Sequence, residues 1–225
     1  MSEKQLAGEK AVEFIQDGMI VGLGTGSTAD FATRKIGERI HNGLNIKAVA
    51  TSTATAQLAT ALNIPIVDLN EVDKIDVTID GADEVDVTYT GIKGGGGALF
   101  FEKMVASISQ KNIWVVDASK YVEQIGKFPL PVEVSPFVYA HIYNQFQDKG
   151  MKPQMRKQQK KYYLTDSGNY IIDLHLNTIK ESKEMASWLN AIPGVITHGL
   201  FINTVDLLVI GNGSTTRIME NQRHK

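Results

Sequence analysis

Short apolar runs alternate with longer amphipathic stretches through the first half of the chain. MIVGLG (19–24) is apolar and ends on glycine, and STADFATRKIGERI (27–40) follows with Phe31, Ile36 and Ile40 at spacings that suit one buried helical stripe. NIKAVA (45–50) then gives way to STATAQLATAL (52–62), DVTID (76–80) stands after a loop, and ALFFEKMVASISQ (98–110) leads into NIWVVDA (112–118). This succession of strand and helix patterns predicts an α/β fold on a mostly parallel, doubly wound sheet. Ligands bind such sheets beyond the carboxyl ends of the strands. The residues at those ends are Gly24 to Thr28, Thr51 and Ser52, Asp80 to Glu84, and Asp117 to Lys120, a collection of small, hydroxylated and charged groups.

The pattern changes at GKFPLPVEV (126–134), where two prolines interrupt the alternation. From there it reads strand (131–134), helix (137–149), strand (152–157), strand (170–174), helix (181–190) and strand (195–201), a split β-α-β-β-α-β unit of the ferredoxin-like kind. TDSGN (165–169) has the chemistry of a hairpin turn between the middle strands. TVDLLVIG (204–211) is an apolar strand able to return to the first sheet. The expected organisation is a catalytic domain from 1–126 and 204–225, with 127–203 inserted as a smaller α+β lid or oligomerisation domain.

Composition narrows the function classes. A chain of 225 residues, 43% hydrophobic, can bury a sizeable core, and a formal charge of −2 supplies no general attraction to nucleic acid or to an anionic membrane. An anionic ligand must be captured locally. There is no cysteine, MSEKQLAGEK lacks the apolar core of a signal peptide, and no apolar run approaches the ~20 residues of a membrane span. A cytoplasmic protein without nucleic-acid or membrane partners is expected.

Three motifs carry candidate chemistry. GLGTGST places glycines between a strand and a helix, where backbone N–H groups can approach a phosphate, but Ser27 stands where a dinucleotide fingerprint needs its third glycine. A nest for one phosphate fits better than a nucleotide site; the plain alternative is a tight turn with Ser27 or Thr28 as helix cap. DGADEVD (80–86) is acidic, yet Gly81 comes too early for a calcium loop, and the five histidines (41, 141, 175, 198, 224) show no paired ligand spacing. No metal is expected there. Asp80 and Asp83 follow a buried strand and can bond sugar hydroxyls or relay protons, unless they only form a solvated turn. In IKGGGGALFFEK (92–103), four glycines between Lys93 and Glu102 suggest a backbone that closely approaches a ligand. Lysine beside carboxylate suits proton abstraction next to a carbonyl, although a glutamate in a first helical turn is also an ordinary dipole partner. The basic run KGMKPQMRKQQKK (149–161) lacks interleaved aromatics and reads as solvated strand and turn charge.

Taken together, VGLGTGSTA, DVTIDGADEVD, IKGGGGAL, EK, DASK, GKFPLPVEV and AIPGVITHGLF resemble, in order and spacing, the type A ribose-5-phosphate isomerases over nearly the whole chain. The resemblance implies a Rossmann-like domain with an inserted α+β lid, in a homodimer or homotetramer that needs no metal or cofactor. It implies interconversion of D-ribose 5-phosphate and D-ribulose 5-phosphate, in the non-oxidative pentose phosphate pathway, through a cis-enediolate. Glu102 would be the general base, assisted by Asp80, Asp83 and Lys93. Thr25, Gly26, Ser27 and Thr28 would form a substrate loop, with Asp80, Gly81, Ala82, Asp83, Lys93, Gly94, Gly95 and Gly96 along the sugar and Lys120 on the phosphate. Phe101 stands where many members carry a polar residue before the glutamate. Two other readings belong to other classes: a sugar-phosphate sensor, which would lack the base and add a DNA-binding domain, and a coenzyme A transferase with Glu102 as nucleophile.

Overall fold

The computed structural model describes residues 1–222, so His224 lies outside the described residues. The chain divides into two compact units, one of 1–82, 101–121 and 203 onward, the other of 83–100 and 122–202. Segment 83–100 thus groups with the second unit, whereas the sequence reading places it in the first.

In the first unit six strands form one sheet in the order 215–220, 207–212, 112–117, 77–81, 20–23, 47–50. Neighbours run parallel except at the antiparallel edge pair of 207–212 with 215–220. TVDLLVIG does return to this sheet, beside Asn112–Asp117. The chain winds outward from 20–23 to 47–50 and then crosses back to 77–81, so the winding reverses between Ile20–Leu23 and Val77–Gly81. That reversal opens a crevice at the carboxyl ends of these two strands. Helices α1 (Glu3–Ala11), α2 (Ser27–His41), α3 (Thr53–Ala61) and α4 (Leu99–Ser107) accompany the sheet. Ala7, Val12, Ile15, Val21, Ile36, Ile79, Ile113 and Val209 share one core, and Val105 of α4 packs with Val49 and Ile75 in another cluster.

Helix α1 and the edge strand Thr215–Glu220 have no counterpart in the hydrophobic pattern. Helix α1 buries Ala7, Gly8 and Ala11, residues too small to register as an apolar stripe, and it starts on a Ser2 cap whose hydroxyl accepts the Gln5 N–H. The edge strand Thr215–Glu220 is mostly exposed and polar, and only its partner Leu207–Asn212 reads as buried.

The second unit contains an antiparallel sheet in the order 195–198, 130–134, 170–174, 153–155, the order of a split β-α-β-β-α-β unit. Helices α5 (Tyr139–Asp148) and α6 (Ser182–Asn190) cover one face, where Ile142, Phe146 and Leu189 meet Val132, Val134, Ile172 and Leu174. The pleat sends Pro131, Glu133, Ile171 and Asp173 to the other face. The strand predicted at 152–157 stops at Met155, because the chain then enters a small ribbon of Lys157–Gln158 with Lys161–Tyr162. The strand predicted at 195–201 breaks at Gly199. Leu200–Phe201 joins a different sheet, pairing with Gly91–Ile92, which pairs in turn with Glu84–Asp86. No described helix is long and apolar enough to cross a membrane.

Candidate active site

In the first unit the strand ends at the winding reversal are locked together through Asp80. Its carboxylate Oδ1 accepts the N–H of Thr25 at 3.1 Å and of Gly81 at 2.7 Å, and the residue is 2% exposed. Gly24 lies so close that an added Cβ would stand 2.1 Å from that same oxygen. The Thr25 hydroxyl does not point to solvent. It meets Thr51 Oγ1 at 2.7 Å, Ser52 Oγ at 2.8 Å and Thr55 Oγ1 at 3.1 Å, while Thr51 and Thr55 donate to the carbonyls of Leu23 and Gly24. This hydroxyl cluster props the loop from below. Thr51 and Ser52 stand out in the sequence as a strand end; Thr55 is found only by noting that it lies one helical turn further on.

The cap of α2 is neither Ser27 nor Thr28. Gly26 holds that position with no side-chain hydrogen bond, so the first N–H groups of a helix of 15 residues are left to an outside acceptor. The Lys4 ammonium donates to Ser27 Oγ at 3.0 Å and adds a cation at the loop, a residue for which the sequence offers no signal beyond its charge. Lys120 ends a 3-10 turn after the strand Asn112–Asp117, and Asp117 caps that turn through the Ser119 N–H at 3.1 Å. The loop and Lys120 thus follow strands of the same sheet. Ala82, half-buried, ends this segment of the unit.

Glu102 occupies the first turn of α4 and is 5% exposed. The adjacent Lys103 is half-buried, and burial pushes its ammonium down to about 7 against the opposing pull of the Glu102 carboxylate. The unfolded chain holds that proton up to its ordinary 10.5, so between about 7 and 10.5 the unfolded state binds more protons and stability rises with pH. Below 7 the folded state carries the buried charge. Lys103→Met is therefore expected to raise Tm by about 3 °C or more at pH 6, a gain that shrinks as pH climbs toward the unfolded value. Thermal melts across that window check it; a gain independent of pH would contradict it.

In the second unit Asp83 and the glycine run come together. Asp83 Oδ2 accepts the Gly95 N–H at 2.7 Å, and the Gly97 N–H turns back to the Gly94 carbonyl at 3.0 Å. Gly94 and Gly97 have φ of +102° and +82°, a region that side chains disfavour, so the run needs glycine for its turn and not for flexibility. Lys93 is 2% exposed, with its N–H on the Gly199 carbonyl and its ammonium 5.5 Å from the Phe201 ring centroid, where the ring face favours the charge. Gly96 is exposed. The remaining acids of DGADEVD are structural: Glu84 accepts the N–H groups of Gly126 and Phe128, and Asp86 organises the turn at Thr88 and Thr90. Among the described residues no group of three His, Asp or Glu side chains gathers as a metal site.

Comparisons with known proteins converge. The family described as ribose 5-phosphate isomerase A (phosphoriboisomerase A) matches residues 47–215. Ribose-5-phosphate isomerase A of Listeria innocua is 50% identical over 215 residues, 95% of this chain and 96% of that protein. A solved D-ribose-5-phosphate isomerase in complex with phospho-erythronic acid superposes with a TM-score of 0.93 at 37% identity over 97% of each chain. The Neisseria gonorrhoeae ribose 5 phosphate isomerase A does so with a TM-score of 0.90 at 38% identity, covering 98% of this chain and 96% of that one.

Proposed function

Because this chain belongs to the ribose 5-phosphate isomerase A family, and interconverts D-ribose 5-phosphate and D-ribulose 5-phosphate, we propose that Glu102 is the general base of that reaction. The observation that carries this reading is the burial of Glu102, a carboxylate at 5% exposure in the first turn of a helix. The proton on C2 of the aldose passes to Glu102 while the C2–H electrons form the C1=C2 bond of a cis-enediolate. The same carboxyl returns the proton to C1, and a hydroxyl proton moves from O2 to O1. Lys93 supplies positive charge for the oxygen that becomes anionic. Asp80, through its hold on Thr25 and Gly81, shapes the substrate loop, and Asp83 shapes the glycine run. The test is turnover of ribose 5-phosphate by the purified protein and by its Glu102→Gln variant.

In this reading the phosphate would sit at the open N-terminus of α2, on the N–H groups that follow Gly26, with Ser27, Thr28 and the cations Lys4 and Lys120 around it; the uncapped helix start and the Lys4–Ser27 contact support it. The backbone supplies more of this site than the hydroxyls do, since Thr25 is engaged beneath the loop. Inorganic phosphate should then compete with substrate. Lys120→Ala should raise KM by about 10-fold or more with kcat within about threefold, the signature of lost ground-state binding. Initial-rate kinetics decide it, and an unchanged KM would reassign Lys120. The protein acts in the cytoplasm as a homodimer or homotetramer without metal or cofactor in this reading, which light scattering and assay after exhaustive chelation test directly.

A further inference from the structure

The basic run of 149–161 is not uniformly solvated. Arg156 turns inward, where its Nε and Nη2 donate to the two carboxylate oxygens of Asp173 at 2.9 and 2.5 Å, and both side chains are under one-fifth exposed. Its third nitrogen, Nη1, donates to the carbonyls of Gly94 at 2.7 Å and Gly95 at 3.1 Å. The next carbonyl, of Gly96, accepts the Tyr163 hydroxyl at 3.3 Å. Three successive carbonyls of the glycine run are therefore held from one side. Arg156 and Tyr163 are neighbours at the base of the ribbon, joined by the Tyr163 N–H on the Arg156 carbonyl at 3.0 Å. The chain beyond them is anchored in turn: Thr165, Ser167 and Asn169 all donate to Oε1 of Glu133, a carboxylate with no exposure at all. Burial, with Asp166 nearby, pushes the Tyr163 hydroxyl up, which keeps it a donor.

A peptide's C=O and N–H point in opposite directions. Fixing the Gly95 carbonyl on Arg156 therefore aims the Gly96 N–H away from Arg156. That N–H has no partner among the described residues, whereas those of Gly95 and Gly97 are engaged by Asp83 and by the Gly94 carbonyl. Asp83 and the turn at Gly97 hold the run from its N–H side and Arg156 holds it from its carbonyl side; a donor held in this way need not be ordered when charge develops.

We infer that Arg156, held by Asp173 and assisted by Tyr163, is a positioning residue for the isomerisation: it fixes the glycine run so that the Gly96 N–H is presented as a preorganised donor to the substrate oxygen that gains charge in the enediolate. The inference rests on the isomerase reading of the site. In it Arg156 acts through the backbone that it grips.

The test separates orientation from stability. Tyr163→Phe removes one hydrogen bond and keeps the ring, and it is expected to lower kcat about 3- to 10-fold with KM within twofold. Arg156→Ala leaves Asp173 without its partner and lowers Tm; in its folded fraction kcat should fall about 10- to 100-fold, and added guanidinium ion should restore part of it. Binding of 4-phospho-erythronate should weaken in step with kcat, because that acid carries charge where the enediolate does, while inhibition by inorganic phosphate stays unchanged. Parental kcat in both folded variants, or equal losses in kcat and phosphate inhibition without rescue, would overturn the inference. A parent protein that does not isomerise ribose 5-phosphate would overturn the reading beneath it.

Discussion

Glu102→Gln is expected to lower kcat at least ~10²-fold while KM moves only a few fold. The amide keeps the shape of the carboxylate and loses its basicity, and a positioned general base contributes ~10² to 10⁴-fold. Binding should survive because the groups proposed to hold the phosphate lie elsewhere: Gly26 caps α2 and Lys120 follows the strand Asn112–Asp117, while Glu102 belongs to α4. Solvent exchange gives a second readout. In D₂O the parent enzyme should place deuterium at C2 of ribose 5-phosphate or C1 of ribulose 5-phosphate, since one carboxyl that holds the proton between the two carbons exchanges with solvent for part of its lifetime. The variant should lose label and turnover together. Near-normal turnover with normal label incorporation in Glu102→Gln would move the base to another carboxylate. Asp83 would be tested before Asp80, because Asp80 already accepts two backbone N–H groups through one of its oxygens.

The alternation of strand and helix was legible because the parallel strands bury their length in apolar residues, and IVGL, VTIDG and NIWVVD show it directly. Helix α1 was not, because alanine and glycine can seat a helix closely without a hydrophobic signal. Gly199 hid a change of sheet inside what reads as one strand from 195 to 201. At the site, residue types were readable but their partners were not. Thr25 looks like a ligand donor in GTGST, yet its hydroxyl belongs to a cluster with Thr51, Ser52 and Thr55, positions that come from a different strand and helix. Arg156 is one cation among many in KGMKPQMRKQQKK. What singles it out is Asp173, on a strand that pairs with Pro153–Met155, and no periodicity within the basic run reports that pairing. Local pattern reveals elements; long-range polar pairing appears only once the strands are in register.

That distinction sets up a substitution whose effect depends on register alone. In GLGTGST the glycines read as room for a phosphate to approach the backbone, a reading that gives Gly24 no neighbour within the protein. In the folded sheet Leu23 pairs with Ile79, so Gly24 stands against Asp80, and a Cβ there would lie 2.1 Å from its Oδ1 and 2.5 Å from its Cα. The side chain could rotate away, but it would release the N–H groups of Thr25 and Gly81. The Cα belongs to the backbone and cannot yield unless the two strands part. Gly24→Ala is therefore expected to cost ~1 to 3 kcal/mol by overpacking and to lower Tm by about 3 to 10 °C. Activity should fall further than stability. The loop proposed to hold the phosphate starts at this residue, and a displacement of about 1 Å at a substrate-positioning group can cost 10²-fold, so kcat/KM should drop by about that much. Gly81→Ala is the control for stability, because its Cβ would meet nothing closer than 4.0 Å, and its Tm should stay within about 2 °C of the parent. If Gly24→Ala melts and turns over like the parent, the two strand ends are not locked through Asp80, and the acid's part in the reaction is then to be sought in direct contact with the sugar.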